Sequence, residues 1–181
     1  MNRTRTALSC AALTFSLALT GGAFSAPPVD LQSGEKAVFD ELSGLIPKDK
    51  IKTVDDLYKT WQDVQNGKSK AIIIDIRTEA EFDAGHIQDS NNVDSGHAYT
   101  MPKKVEEADA EIWVTCRTKH RATYFVGLLY KYGYKNVYLV EEGIAAWAKK
   151  GYPMVTKYMG KIEVKEYEKE LKENFQFREN K

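Results

Sequence analysis

The chain has 181 residues, 43% of them hydrophobic and 29% charged, so it is long enough and apolar enough to form a globular core. Its 26 basic residues equal its 26 acidic residues, and this balance argues against nucleic acid or an anionic membrane as a partner. The sequence also lacks internal repeats, low-complexity tracts and a glycine-rich phosphate-binding loop.

The first 25 residues have the features of a secretory signal peptide. Arg3 and Arg5 form a basic start, residues 7–19 form an apolar core, and Ala23-Phe24-Ser25 form a cleavage site. We therefore expect an exported mature protein, periplasmic or secreted, that is not inserted in a membrane after the signal is removed. It would keep one domain of about 156 residues, with 24 basic against 26 acidic residues.

Export would leave the protein with a single cysteine, because Cys10 lies in the signal and Cys116 does not. One cysteine cannot form an internal disulfide. In an oxidising compartment a lone thiol is open to oxidation, so its presence predicts a chemical use for Cys116.

Two helices are predicted before the first long strand. The first covers residues 34–47, where apolar residues recur at helical spacing, and Pro47 should end it. The second should begin after Thr53, a good N-cap, with an apolar face over residues 54–64 before Asn66-Gly67.

Three apolar runs predict strands, at residues 71–76, 112–115 and 137–140. Their apolar residues are consecutive, which is typical of strands covered on both faces. Strands that alternate with helices predict an α/β fold with a mostly parallel central sheet flanked by helices. In such folds ligands bind outside the carboxyl ends of the strands.

The segment Cys116-Arg117-Thr118-Lys119-His120-Arg121 joins one of these strands to a helix whose apolar face begins at Ala122. A loop that enters a helix presents backbone N–H groups, which favour an anion and the thiolate form of cysteine. Three basic side chains add positive charge. We therefore predict that Cys116 is a nucleophile. The alternative is an inert core cysteine beside a solvated basic loop.

Four ordered motifs between Ile51 and Pro153 resemble those of the rhodanese-like sulfurtransferases. They are Asp75-Ile76-Arg77, Glu81-Phe82 followed by Gly85-His86-Ile87, Cys116 to Arg121, and Glu142 to Trp147 followed by Gly151-Tyr152-Pro153. The resemblance implies a single rhodanese-like domain over residues 51–157, between helical extensions at 26–50 and 158–181. It also implies sulfur transfer without a cofactor or metal.

The resemblance further implies that the Cys116 thiolate takes sulfane sulfur from a small anionic donor, thiosulfate or polysulfide, as a persulfide. Cyanide or a thiol would then accept the sulfur. Arg121 would close the catalytic loop, and the implied substrate-binding residues are Arg77, Arg117, Thr118, Lys119 and His120. His120 would either tune the thiolate or simply start the helix.

The chain departs from the family pattern at three places. Lys119 and Glu142 each replace a usual glycine, and Gln88-Asp89-Ser90 replaces a usual Pro-Gly-Ala. The backbone of Lys119 must avoid the left-handed region or be strained. Its side chain, if it enters the pocket, would favour larger or more highly charged donors.

Three other functions stay open as alternatives. They are a carrier that hands persulfide sulfur to a partner enzyme, a binding module without catalysis, and a phosphatase. The last is disfavoured, because related phosphatases have a loop one residue longer. The three histidines have no metal-ligand spacing.

The charged segment after Pro153 carries apolar residues at helical spacing, from Val164 to Phe175. We predict an amphipathic helix there. It would pack on its own domain or provide a homodimer or partner surface.

Overall fold

A computed structural model of the protein describes residues 30–164. The predicted signal peptide and residues 165–181 of the predicted C-terminal helix lie outside the described residues. The helices within this range are α1 Leu31–Gly44, α2 Val54–Gln65, α3 Glu79–Ala84, α4 Met101–Lys104, α5 His120–Tyr132 and α6 Gly143–Lys149. The strands are β1 Ile51–Lys52, β2 Ile72–Asp75, β3 His86–Ile87, β4 Asn91–Asn92, β5 Ile112–Thr115, β6 Val137–Val140, β7 Met154–Thr156 and β8 Gly160–Ile162.

Five strands form a parallel sheet in the order β1-β6-β5-β2-β4. The α/β fold predicted from the sequence is therefore confirmed. In the centre of the sheet Asp75 of β2 is in register with Thr115 of β5. The segments that follow these two residues consequently leave the sheet side by side, at the same edge.

Alternate residues of β5 contribute to the two halves of the core. Ile112 and Val114 pack with α5 residues such as Phe125. Trp113 packs on the opposite face with α2 and α6 residues such as Trp147. Both faces of the strand are thus buried, which explains its uninterrupted apolar sequence.

The predicted N-terminal helices are both present, but α1 begins and ends three residues earlier than predicted. The helix α1 ends at Gly44, before Pro47 is reached, and a short 3-10 helix over Lys48–Lys50 leads into β1. The helix α2 begins as predicted. The Thr53 hydroxyl accepts a hydrogen bond from the Asp56 N–H, and the Asp56 carboxylate accepts one from the Thr53 N–H.

The helix α1 packs closely against α5 at a glycine. A Cβ atom at Gly127 would lie only 2.6 Å from the backbone oxygen of Leu42. The missing side chain therefore allows the two backbones to approach one another. None of the described helices is long and apolar enough to cross a membrane.

A second, antiparallel sheet has the strand order β3-β7-β8. Residues 160–162, which the sequence analysis placed in a helical extension, form the strand β8 instead. They pair with β7, where Ile162 stands opposite Met154. Ladder hydrogen bonds to β7 and the apolar neighbour Met154 thus stabilise a strand in a segment without a strong strand pattern of its own.

Candidate active site

The loop predicted to be catalytic (the catalytic loop) occupies residues 116–119, between the end of β5 and the first residue of α5. The Cys116 side chain is buried, with 1% of the residue exposed. The backbone N–H groups of Thr118 and Ala122 donate hydrogen bonds to its sulfur. Loop amides therefore face the thiol, as the sequence predicts.

The first turn of α6 supports this loop from behind. The N–H of Ile144 donates to the Cys116 oxygen at 2.9 Å, and the N–H of Ala145 donates to the Arg117 oxygen at 3.0 Å. Gly143 has φ of 62°, and a Cβ there would lie 2.5 Å from the Cys116 oxygen. Only glycine fits this position, because both its conformation and its contact exclude a side chain.

Arg121 forms a two-pronged ion pair with Glu81 in α3. Its Nη1 and Nη2 atoms donate to the two carboxylate oxygens, each at 2.9 Å. Hydrogen bonding by Arg121 lowers the pKa of Glu81 to about 2. The same carboxylate accepts a hydrogen bond from the N–H of Thr78, so Arg121 is held by the helix that follows β2.

Sequence reasoning missed Glu81 as the partner of Arg121, although it had noted the Glu81-Phe82 motif. The pairing could have been predicted from the order of strands in a parallel sheet. Glu81 follows β2 and Arg121 follows β5, and parallel neighbours bring such segments to one edge.

Arg77 lies at the edge of the site but is already paired. Its Nη2 atom donates to Asp75 Oδ2 and to the Gly85 oxygen, each at 2.6 Å. The residue is buried, with 6% exposed. A guanidinium held by a carboxylate and a carbonyl supports the wall of the site, and because Arg77 also lines the cleft, its role in substrate binding stays a prediction.

Lys119 does not line the cleft at this edge of the sheet. Its ammonium group forms an ion pair with Glu141, which follows β6. This pairing directs the side chain away from the substrate-binding position expected for it. Its φ of −151° also lies outside the left-handed region, so the backbone is not strained.

His120 faces α1 instead of the thiol. Its ring stacks on Phe39 with centroids 5.0 Å apart, and its Nε2 atom lies 3.8 Å from Glu35 Oε1. Of the two alternatives for this residue, the structure favours the helix start, since α5 begins here. Thr118 serves the site through its backbone N–H.

Burial raises the pKa of the Cys116 thiol above its usual range. Hydrogen bonds from the Ala122 and Thr118 amides and the charge of Arg121 act in the opposite direction without offsetting burial. The expected dominance of basic side chains is therefore absent. The main reason is desolvation of the buried sulfur. Two of the basic side chains are also paired with carboxylates, Arg121 with Glu81 and Lys119 with Glu141.

A cleft of about 360 Å³ opens beside the loop. Its polar lining includes Arg77, Glu81 and Arg117, and its apolar lining includes Ile144 and Met154. Among the described residues no three histidine, cysteine, aspartate or glutamate side chains are grouped to hold a metal ion. The arrangement brings together a buried cysteine sulfur, two amides that donate to it and an adjacent cleft.

Comparison with known proteins shows which family the chain belongs to. The family model of the rhodanese-like domain matches residues 53–150. The chain belongs to the rhodanese-like family. A sulfurtransferase of Allochromatium vinosum is 31% identical over 86 residues, which cover 46% of this chain and 78% of that protein. The thiosulfate sulfurtransferase GlpE of Stutzerimonas stutzeri is 31% identical over 79 residues, which cover 42% and 70% respectively.

A solved structure from Rhodopseudomonas palustris resembles this rhodanese-like domain with a TM-score of 0.57 and 25% identity. It covers 70% of this chain and 97% of that chain. That protein is described as one of unknown function and as a possible tyrosine phosphatase. The likeness supports the fold, and the activity has to be argued from the site.

Two departures from the rhodanese-like pattern have structural explanations. Glu142 Oε2 accepts a hydrogen bond from the N–H of Val54 at 3.0 Å, so it caps the start of α2. Asp89 has φ of 61°, and its carboxylate accepts a hydrogen bond from Gln65. Asp89 therefore keeps the left-handed conformation that a glycine would adopt there.

Proposed function

We propose that this protein is a sulfurtransferase that carries sulfane sulfur on Cys116, taking it from thiosulfate or polysulfide and giving it to a thiophilic acceptor. The main support is the Cys116 sulfur, which accepts hydrogen bonds from the Thr118 amide of the loop and the Ala122 amide in the first turn of α5, beside an open cleft. Membership of the rhodanese-like family and two relatives named as sulfurtransferases add weight.

In the first step the Cys116 thiol loses its proton, and its thiolate attacks the outer sulfur of the donor. The donor S–S bond breaks, and with thiosulfate the sulfite leaves with the electron pair. Burial opposes thiolate formation, whereas the amides of Thr118 and Ala122 stabilise negative charge on sulfur. The second step passes the outer sulfur to the acceptor and restores Cys116.

The other loop residues position this chemistry. Arg121 and its partner Glu81 hold the end of the loop against α3. Arg117 lines the cleft and is the basic side chain best placed to meet an anionic donor. No step requires a cofactor or a metal ion.

Mass spectrometry after separate exposure to thiosulfate and to polysulfide tests the proposal. We expect one added sulfur on the wild-type protein, removal of that sulfur by cyanide, and no addition to Cys116→Ser. Sulfur transfer to cyanide by Cys116→Ser would contradict this mechanism.

The same samples separate the alternative functions. A carrier would accept sulfur but release little to small acceptors, and a binding module would accept none. Hydrolysis of an aryl phosphate by the wild-type protein, lost in Cys116→Ser, would instead establish the phosphatase alternative. We expect no hydrolysis, because the loop from Cys116 to Arg121 is one residue shorter than that of related phosphatases.

We also propose that the protein acts after export, in the periplasm or outside the cell. The support is the pattern of residues 1–25, with its basic start and apolar core. Cell fractionation of the full chain and of a form lacking residues 2–25 tests this, since only the full chain should leave the cytoplasm.

A further inference from the structure

The cleft beside the catalytic loop is larger and less polar than a small anion needs. Its volume of about 360 Å³ corresponds to about a dozen water molecules, and thiosulfate would fill only part of it. Its apolar lining includes Ile144, Met154, Ile162 and Val164.

Most of these apolar residues belong to the hairpin formed by β7 and β8 or follow it directly. Met154 lies in β7, Ile162 lies in β8, and Val164 comes two residues after β8. The matched family region ends at residue 150, before this hairpin begins. Ile162 and Met154 pack over Gly85, where a Cβ atom would lie 3.3 Å from a side-chain atom of each. The hairpin is therefore fixed against the segment that carries Arg77 and Glu81.

Ion pairs reduce the attraction of Arg77 and Arg121 for a small anion. Arg77 is paired with Asp75, and Glu81, itself an anion, lines the cleft beside its partner Arg121. The apolar part of the cleft lining favours a ligand that buries carbon atoms against it.

We propose that the sulfur acceptor is a thiol carried on an apolar chain, whose carbon atoms bind against the wall formed by the β7–β8 hairpin. This inference rests on the proposed sulfurtransferase function. It adds the substrate class of the second half-reaction, which the residues of the catalytic loop alone do not indicate.

The transfer step is balanced without a further reagent. The acceptor thiolate forms a bond to the outer sulfur of the Cys116 persulfide. The bond between that sulfur and Cys116 Sγ breaks, and its electron pair leaves with Cys116 as thiolate. The outer sulfur of the persulfide takes up the proton that the acceptor thiol loses when it becomes a thiolate, so the products are an organic persulfide and the Cys116 thiolate.

A single-turnover experiment on the full mature chain tests the acceptor class. Cys116 is first loaded with sulfur, and loss of the added sulfur is then followed with 3-mercapto-1-propanol or 6-mercapto-1-hexanol. These thiols differ only in chain length. Burial of each extra methylene predicts up to about fourfold faster release, so we expect the longer thiol to be at least about tenfold faster.

Ile162→Thr removes apolar surface from the wall while keeping a β-branched residue in the strand. The ratio of the two release rates should fall by about threefold or more, with the short thiol as the internal reference. Lys161→Thr, at the neighbouring and exposed position of β8, should leave the ratio unchanged.

The outcomes separate the two proposals. Failure of Cys116 to acquire sulfur from either donor would overturn the proposed function and this inference with it. Normal loading followed by equal release to both thiols would overturn only the acceptor class. An unchanged ratio in Ile162→Thr would likewise refute the hairpin as its binding wall.

Discussion

At the scale of single residues, two positions where the family usually has glycine differ in backbone conformation, although in sequence both are simple glycine replacements. Asp89 has φ of 61° and keeps the left-handed conformation. Lys119 has φ of −151°, and its side chain pairs with Glu141. The sequence presents both as glycine replacements. Backbone angles depend on the surrounding packing, so sequence alone could not distinguish them.

The Glu81 carboxylate links acid stability to the catalytic loop. Its pKa of about 2 lies below the ordinary value of 4.5, so ionised Glu81 favours the folded state above about pH 4.5. That contribution is lost as the pH falls towards 2. We expect Glu81→Gln to lower the free energy of unfolding by about 1–2 kcal/mol at pH 7, because partial exposure screens the ion pair.

Urea denaturation of wild type and Glu81→Gln, at neutral pH and near pH 2, measures this effect. The difference between the two proteins should largely disappear at the lower pH. Glu79→Gln, in the same turn of α3, removes only an exposed ion pair with Lys157 and should cost less than about 0.5 kcal/mol. A difference for Glu81→Gln that does not change with pH would contradict the assignment.

At the scale of secondary-structure elements, the packing of α6 on the catalytic loop sets the shape of the site. Amides at the start of α6 donate hydrogen bonds to the carbonyl oxygens of Cys116 and Arg117. The amides of Thr118 and Ala122 donate to the Cys116 sulfur instead. The resemblance to the family identified the glycine and tryptophan motif that surrounds Gly143. It did not indicate that this motif supports Cys116, because that contact joins segments far apart in the chain.

Gly143→Ala tests this support, with Gly151→Ala as the matched control. Both glycines have left-handed φ, 62° and 66°, but a Cβ at Gly151 meets nothing within 4 Å. Gly151→Ala should therefore cost only about 1 kcal/mol and leave sulfur loading unchanged. Gly143→Ala should cost at least about 2 kcal/mol more and slow loading, since the loop must move.

Thermal or urea unfolding and the rate of sulfur loading provide the two measurements. Equal destabilisation by both substitutions would mean that contact between α6 and the loop contributes little.

At the scale of the whole molecule, the sequence predicted the strands of the central parallel sheet better than those of the small antiparallel sheet. The runs at 112–115 and 137–140 form β5 and β6 with the predicted limits, because strands buried on both faces have a strong apolar signal. The strand β8 was missed. Its residues Gly160–Ile162 have little strand character of their own and depend on pairing with β7.

The packing of α1 on α5 makes the N-terminal extension part of the same fold. Helix propensity alone predicts that Gly127→Ala stabilises α5 by about 1 kcal/mol. The structure predicts the opposite sign, because the new methyl group would contact the Leu42 backbone. Gly34→Ala in α1, where a Cβ meets nothing within 4 Å, should be stabilising. Urea denaturation distinguishes these signs, and stabilisation by Gly127→Ala would show that α1 does not dock as described.

The two hydrogen bonds from α6 to the catalytic loop also provide a natural spectroscopic probe. The amide protons of Ile144 and Ala145 are bound to the oxygens of Cys116 and Arg117. Their NMR shifts and solvent-exchange rates therefore respond to any movement of the loop, without a label at the thiol. Reduced and sulfur-loaded protein could then be distinguished by two amides whose hydrogen bonds go to loop carbonyls and not to the sulfur.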